Sequence, residues 1–234
     1  MNKILFGPPG AGKSSLVDKL IAEIRKNKKS VGVIAIDPSS SKSGGALLGD
    51  RTRFLLDPKD DDIFVRSMAA KDFLGGLSEL TFPTMTIMIS IFDFVIIETV
   101  GVGQSETNVK DVVDSVILCV QPGSGDTIQF MKSGIFEIPD IIVVTKSDIE
   151  KIANHTHSEL NSSKNYYKST NGWDIEIIKT SVVKNIGIDL LFNEIEKRWM
   201  WLKKNKKIHH QRIGQDISWI TKTNKKFTSS EIFK

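Results

Sequence analysis

The sequence predicts an α/β protein in which a mostly parallel, doubly wound sheet has helices on both faces. Short apolar runs alternate with stretches of helical spacing from Met1 to about Leu202, which is typical of a parallel sheet. Most of these runs are nearly continuous in Val and Ile, as expected for strands buried on both faces. The first run leads into a glycine-rich loop that opens a helix, the context that a phosphate-binding loop needs. Together these observations predict a P-loop NTPase.

Each element of the predicted domain follows from its own run of residues. The predicted strands are Lys3–Phe6, Val31–Ile36, Ile63–Arg66, Phe94–Ile97, Ser115–Val120, Ile141–Thr145 and Ile175–Ile178. The stretch 154–171 is rich in Asn, Ser, His and Lys, and we expect a polar surface excursion there. Beyond the last strand, helical spacing predicts one apolar, core-packing face formed by Leu191, Ile195, Trp199 and Leu202.

The chain divides into a domain and a tail. Residues 1–204 form the predicted P-loop domain, and residues 205–234 form a short, basic, helical arm. The arm has few apolar residues, so it cannot build a core of its own. We expect it either to pack on a partner subunit in a homodimer or to be a frayed terminus.

Composition narrows the class of protein. The chain has 234 residues and a formal net charge of +4, which suits a globular domain. Met1 stands almost on the first predicted strand, so no targeting segment is expected, and no apolar run is long enough to cross a bilayer. The single cysteine, Cys119, lies in an apolar run and predicts a buried thiol without a disulfide. These features predict a reducing, cytoplasmic location and no membrane partner.

Basic and histidine residues predict no further site. Lysines cluster at 26–29 and 197–207, and without an aromatic stacking pattern we interpret them as solvated faces rather than a nucleic-acid surface. The histidines lie in polar stretches, and no third ligand is spaced to complete a metal site with a His-x-His pair. They are His155, His157, His209 and His210.

The glycine-rich loop fits the pattern G-x-x-x-x-G-K-S. Glycines let successive N–H groups turn inward toward phosphate oxygens, and the helix start adds partial positive charge. Lys13 is predicted to reach the β- and γ-phosphates, and the Ser14 hydroxyl to bind Mg²⁺. The alternative is an ordinary turn between strand and helix. The predicted nucleotide-binding residues of this segment are Gly7, Pro8, Gly10, Ala11, Gly12, Lys13, Ser14 and Ser15.

Three acids are candidate Mg²⁺ ligands. Asp37 and Asp50 bracket a serine- and glycine-rich loop after the second strand, and Glu98 ends the fourth strand. Mg²⁺ prefers oxygen ligands and keeps several waters, so one or two carboxylates suffice. The alternatives are a turn-starting Asp37, a helix-capping Asp50 and an exposed Glu98 at a strand end.

Two glycine loops are predicted to line the active site. In the first, the Gly101 N–H could sense the γ-phosphate and Gln104 could position water. Gln104 lies two residues beyond the place used by Ras-like enzymes, which predicts slow intrinsic hydrolysis. The second loop, Gln121–Asp126, follows another buried strand and leads toward Lys132. The alternative for this second loop is a plain connection between strand and helix.

The segment Thr145–Asp148 resembles the N-K-x-D pattern of GTPases. A carboxylate at Asp148 can accept hydrogen bonds from both guanine N1–H and the exocyclic amine, while Lys146 can lay its alkyl stem along the ring. Thr145 replaces the commoner Asn. After the last strand, Ser181 and Val182 would supply a backbone N–H to guanine O6. The sequence therefore predicts GTP as the nucleotide.

Taken together, several segments resemble the methylmalonyl-CoA mutase-associated GTPases, the MeaB/ArgK-like family of SIMIBI-class P-loop GTPases. The stretch Glu98–Glu106, E-T-V-G-V-G-Q-S-E, is the most specific of them. The segments that carry the resemblance are Gly7–Ser14, Asp37–Ser40, Gly44–Gly45, Gly49–Arg53, Arg66–Ala69, Gly75–Leu77, Glu98–Glu106, Gln121–Asp126 and Lys132–Ile135.

The resemblance implies a GTPase that gates cofactor delivery to an adenosylcobalamin-dependent acyl-CoA mutase and protects that mutase. It implies Mg²⁺ held by Ser14, Asp37, Asp50 and Glu98, and cobalamin bound only through the partner. It also implies a partner-responsive loop that carries Lys132 toward GTP. Relatives usually have a helical segment before the first strand and a longer dimerisation arm.

Other functions stay open at this point. An older label for the family is a transport-linked kinase for basic amino acids. A metallochaperone GTPase shares the general fold, although the sequence has no Cys/His cluster to carry metal. A third alternative is a nucleotide-binding regulator without catalysis, which a GTP turnover assay would distinguish.

Overall fold

One parallel sheet organises the described part of the chain. The computed structural model describes residues 1–38, 59–70, 77, 80–99, 110, 112–125, 135–164 and 172–232. The strands are β1 (Asn2–Phe6), β2 (Val31–Pro38), β3 (Ile63–Ala70), β4 (Phe94–Glu98), β5 (Ser115–Val120), β6 (Ile141–Val144) and β7 (Glu176–Lys179). They pair in parallel in the order β3-β2-β4-β1-β5-β6-β7. Every predicted strand is confirmed, with differences only at the ends.

Helices cover both faces of this sheet, as predicted. They are α1 (Lys13–Lys26), α2 (Thr81–Ile91), α3 (Glu150–Ser163), α4 (Ile188–Lys204) and α5 (Lys207–Ile232). Buried side chains of α1 and α4, such as Leu20 and Leu191, pack on one face. On the other face α2 and α3 contribute Met85 and Leu160. The α/β class with a doubly wound sheet is therefore confirmed.

One predicted surface excursion is a helix. Residues 154–163 of the polar stretch belong to α3, which buries Ala153, Thr156 and Leu160. These three residues lie at spacings of three and four, so they form one helical face. Most residues of this stretch are polar, so its composition alone did not indicate the narrow buried face of the helix. Leu191, Ile195 and Leu202 of the predicted apolar face of α4 are buried. The fourth predicted member, Trp199, is only half-buried.

The first half of α5 packs on its own domain. The Gln211 and Gln215 amides both donate to the Val113 carbonyl, at 2.9 and 2.8 Å. Further along the helix, Trp219 stacks on Phe82 of α2 with ring centroids 5.4 Å apart. This half of α5 is therefore not a frayed end, and the expected contact of the arm with a partner subunit stays a prediction. The polar side chains of α5 anchor it by hydrogen bonding to the backbone carbonyl of Val113, just before β5.

The basic cluster at 197–207 also differs from expectation, because it does contain stacked aromatics. The ammonium groups of Lys203 and Lys207 lie 5.1 and 4.7 Å from the ring centroids of Trp199 and Trp201. These two ammonium groups thus make cation–π contacts with the indole rings. Among the described helices, none is both long and apolar enough to span a bilayer.

At the amino edge of the sheet, where the strands begin, charged side chains are sealed inside the protein. Lys3 is 1% exposed, and Arg198 of α4, also 1% exposed, makes an ion pair of 2.9 Å with Asp140. Arg198 lies over the rings of Trp173 and Trp201 at 5.0 and 4.7 Å. This cluster of Lys3, Asp140 and Arg198 is called the amino-edge cluster below.

Candidate functional site

The glycine-rich loop follows β1 at the carboxyl edge of the sheet, between β4 and β5. In open parallel sheets this edge is where ligands bind. Gly7 has φ of 145°, and a Cβ added there would collide with the Cys119 carbonyl oxygen of β5. Only glycine lets the loop leave β1 this close to the neighbouring strand.

The loop presents the start of α1 as an anion site. Gly10 and Gly12 have φ of 77° and 81°, and the Ala11 N–H closes the turn on the Pro8 carbonyl at 3.2 Å. Gly12 is the N-cap of α1, and no side chain caps that end. The first-turn N–H groups and the helix dipole therefore face the loop, as phosphate binding requires. Ser15, also predicted to bind nucleotide, lies exposed in this first turn.

Lys13 is held inside the loop. Its ammonium donates to the carbonyls of Gly7 and Pro8 at 2.9 and 3.0 Å, and the residue is only 6% exposed. The loop backbone thus fixes the cation beside the N–H groups at the start of α1. This is the placement that a lysine needs to meet phosphate oxygens.

Ser14 and Glu98 form the predicted metal side of the site. The Ser14 hydroxyl donates to Glu98 Oε1, and Glu98 is buried at the end of β4. A hydroxyl and a carboxylate at one point are oxygen ligands of the kind that Mg²⁺ prefers. On the neighbouring strand, Ala35 is in register with Glu98, so the Asp37 backbone lies two residues further toward the same edge. The donor set fits Mg²⁺.

The predicted guanine-selecting acid is oriented by a serine. Ser181 Oγ donates to Asp148 Oδ1 at 2.7 Å and accepts from the Lys184 N–H at 3.1 Å. The hydrogen bond from Ser181 holds the pKa of Asp148 below its usual range. Asp148 therefore stays charged and keeps a fixed direction, which a double acceptor for guanine requires.

Ser181 works through its side chain rather than its backbone. Its N–H donates to the Ile186 carbonyl at 3.0 Å, in a short bridge after β7. The Ser181 N–H is therefore already bonded within the protein. Of the two predicted donors to guanine O6, the Val182 N–H stays the prediction. The Ser147 N–H donates to the Thr180 carbonyl at 3.0 Å and ties this segment to the one that carries Asp148.

The predicted stacking lysine has a partner that sequence reasoning missed. Lys146 has φ of 49°, and its ammonium donates to Gln121 Oε1 at 3.0 Å. Thr145, which replaces the commoner Asn, donates its N–H and its hydroxyl to the Val120 carbonyl at 3.0 and 3.2 Å. The available signal was position, since Gln121 directly follows β5 at the ligand edge.

Some predicted site residues lie outside the described part of the chain. They are Asp50, Gly101, Gln104 and Lys132. For Asp37 only the backbone position is described. The described residues thus bring the phosphate loop, Glu98 and the guanine-selecting pair to one edge.

Comparison with known proteins agrees with this geometry. The family model of the methylmalonyl-CoA mutase-associated GTPase MeaB matches residues 4–233. A Pyrococcus abyssi protein named as a GTPase is 41% identical over 92% of this chain and 68% of its own length. A mitochondrial methylmalonic aciduria type A homolog of Caenorhabditis briggsae is 32% identical over 92% of this chain and 54% of its own.

Solved structures give the same fold. The crystal structure of a LAO/AO transport system kinase has a TM-score of 0.77 at 25% identity, covering 100% of this chain and 70% of that one. The hydrogenase maturation factor HypB from Archaeoglobus fulgidus has a TM-score of 0.62 at 16% identity, covering 84% and 89%. At that identity the HypB likeness shows the fold alone.

Proposed function

Because the chain belongs to the methylmalonyl-CoA mutase-associated GTPase family MeaB, we propose that it hydrolyses GTP as a chaperone of an adenosylcobalamin-dependent acyl-CoA mutase. The proposal rests mainly on one observation. The phosphate loop with its Ser14–Glu98 pair and the Asp148–Ser181 pair lie at one sheet edge. Cobalamin would be bound only through the partner. We propose that the chain acts in the cytoplasm.

At the phosphate end, each described side chain has a role. Lys13 neutralises charge on the β- and γ-phosphates, and the α1 N–H groups cradle them. Ser14 and Glu98 would hold Mg²⁺, with Asp37 and Asp50 completing its surroundings. When bound, Mg²⁺ neutralises the charge that develops on the phosphates. The Gly101 N–H is proposed to contact the γ-phosphate.

At the base end, Asp148 selects guanine. A charged carboxylate accepts two hydrogen bonds from guanine, whereas adenine lacks that donor pair. We expect GDP to bind far more tightly than ADP and Asp148→Asn to lose most of that preference, both measured by calorimetric titration. Equal affinity of the unmutated protein for ADP and GDP would contradict the guanine assignment.

Hydrolysis is proposed to be slow until a partner acts. Gln104 is displaced from the position used by Ras-like enzymes, so water is poorly positioned in the isolated protein. Contact between the partner and the loop after Gln121 would bring Lys132 to the γ-phosphate, and an added cation there is worth about 10³–10⁵ in rate.

The test is GTP turnover with and without the cognate mutase, in wild type, Lys132→Ala and the surface control Lys151→Ala. We expect the mutase to stimulate the wild type and the control but not Lys132→Ala. Full stimulation of Lys132→Ala would remove Lys132 from the mechanism. Absence of any stimulation by the mutase would contradict the chaperone role.

We further propose that the protein forms a homodimer through the outer side of α5. Ile213, Ile217 and Ile220 are 43, 59 and 51% exposed. Their spacing of four and three residues forms one stripe, opposite the side that carries Gln211 and Gln215. Light scattering should find a dimer for the wild type and a monomer for Ile217→Asp. A monomeric wild type would contradict this part of the proposal.

A further inference from the structure

We propose that Gln121 is a positioning residue for nucleotide binding, holding Lys146 where its stem can cover the guanine ring. The inference rests on the proposed function, because it concerns the same nucleotide site. It goes beyond that function by assigning a role to a residue outside both the phosphate loop and the guanine-recognition segment.

The contact joins three parts of the site. Gln121 Oε1 accepts from the Lys146 ammonium at 3.0 Å, and a Cβ added at Gly10 would lie 3.9 Å from the same oxygen. The amide oxygen therefore stands between the phosphate loop and the guanine-recognition segment. Parallel pairing of β5 with β6 brings these strand ends together, and the Thr145 bonds to Val120 fix their spacing.

Lys146 needs such an anchor. A lysine side chain has many rotamers, and ordering it costs conformational entropy. The backbone of Lys146 lies in the left-handed region, with φ of 49°, which residues other than glycine seldom adopt. A bond from the ammonium to a neutral amide fixes the stem without neutralising the charge. The entropy of ordering is then removed before the nucleotide arrives.

Gln121 also begins the second predicted active-site loop, the one that follows β5. The Ser124 hydroxyl donates to the Gln121 carbonyl at 3.0 Å, and a Cβ at Gly123 would lie 3.0 Å from Ile152 of α3. Gln121 thus contacts the loop through its backbone carbonyl and Lys146 through its side-chain amide. A rearrangement of this loop would move the Gln121 amide and so change how firmly Lys146 is held.

The test is a double-mutant cycle on GDP affinity, measured by titration calorimetry. The variants are Gln121→Ala, Lys146→Met, their combination and Gln121→Glu, which keeps an acceptor oxygen. We expect Gln121→Ala to weaken GDP binding about three- to tenfold, as for loss of a hydrogen bond to a charged group. The double variant should bind no more weakly than Lys146→Met. Gln121→Glu keeps the acceptor oxygen but places a negative charge beside the phosphate loop, so it should bind GDP more weakly than the wild type.

Gln215→Ala is the matched control, because it also removes a glutamine hydrogen bond but on α5. It should lower the melting temperature and leave GDP affinity unchanged, which separates positioning from loss of stability. Additive losses in the cycle, or an unchanged affinity in Gln121→Ala, would overturn the inference while leaving GTP binding intact. A wild type that binds no GDP would instead overturn the proposed function, and this inference with it.

Discussion

The two edges of the sheet collect charged side chains in opposite ways. At the carboxyl edge, Lys13 donates to loop carbonyls and Asp148 lies at the surface, oriented by Ser181. At the amino edge, Lys3 and Arg198 are almost fully buried, and burial lowers the pKa of Lys3 to about 7. Perturbed ionisation often marks functional sites, yet Lys3 and Arg198, the two most deeply buried cations among the described residues, lie away from the ligand edge. Position in the sheet is the better guide to function.

In the amino-edge cluster, a buried carboxylate is paired with a buried guanidinium. Burial raises the pKa of Asp140, against the Arg198 guanidinium and the Val116 N–H, which favour its charged form. A buried ion pair is costly to form and costlier to break, because the remaining charge has no solvent. The amino edge should therefore govern stability, and the carboxyl edge activity.

Arg198→Ala should produce the largest change. It leaves the Asp140 carboxylate buried without its partner, so we expect a loss of about 3–5 kcal/mol in the free energy of unfolding. Denaturant titration measures this, and GDP affinity of the folded fraction should not change. The partly exposed pair of Arg25 with Asp60 is the control, and Arg25→Ala should cost about 1 kcal/mol or less. Equal losses of unfolding free energy in the two variants would contradict the claim that burial makes the Arg198–Asp140 pair the costlier one to break.

Lys13→Ala tests the other edge. The Lys13 ammonium lies in the phosphate loop, bonded to the Gly7 and Pro8 carbonyls, and loss of one such charge-stabilising group costs about a hundred- to a thousandfold in rate. GTP turnover should fall by that factor, while the melting temperature stays near that of the wild type. Lys19→Ala, in the same helix, should keep wild-type turnover. A Lys13→Ala protein that hydrolyses GTP normally would locate catalysis elsewhere.

Lys3→Met should stabilise the protein by about 1–4 kcal/mol, since well-packed apolar residues often replace buried charges favourably. The folded-state pKa of about 7 lies below the ordinary value of 10.5, so protonated Lys3 penalises folding. The penalty is full below pH 7 and fades as pH rises toward 10.5. Asp114, Glu196 and Asp140 raise this pKa, and Arg198 lowers it.

Melting temperatures of Lys3→Met and of the exposed control Lys151→Met, at pH 6.5 and pH 9.5, measure the effect. The gain for Lys3→Met should be larger at the lower pH, and the control should change little at either. A gain independent of pH would mean that Lys3 is not the titrating group.

Ser181→Ala should give the smallest effect. Without the Ser181 hydroxyl, the pKa of Asp148 rises toward its usual value and the carboxylate loses its fixed direction. We expect GDP affinity to fall about three- to tenfold at pH 7.5, measured by titration calorimetry. In an Asp148→Asn background the same serine change should cost little more, because the carboxylate that Ser181 orients is gone. An equal further loss in that background would contradict the orienting role of Ser181.

The features that depend on local sequence pattern could be predicted from the sequence. Val/Ile runs predicted the strands, and the phosphate loop and Asp148 were predicted from spacing. Sequence reasoning missed what strand order creates. Gln121 meets Lys146 only because β5 lies beside β6, and a glutamine after a strand has no distinctive signature. Gln215 likewise reads as a surface residue until α5 places its amide on buried carbonyls.

Because Gly7 lies so close to β5, the reactivity of the Cys119 thiol can report whether β5 opens next to the phosphate loop. Cys119 is fully buried beneath the loop, and burial raises the pKa of its thiol to about 12. The chain contains no other cysteine. A thiol reagent can therefore react only when β5 opens, and its rate counts those openings. A nucleotide that binds to the phosphate loop should therefore slow the reaction of the Cys119 thiol. The measurement needs no label on the protein.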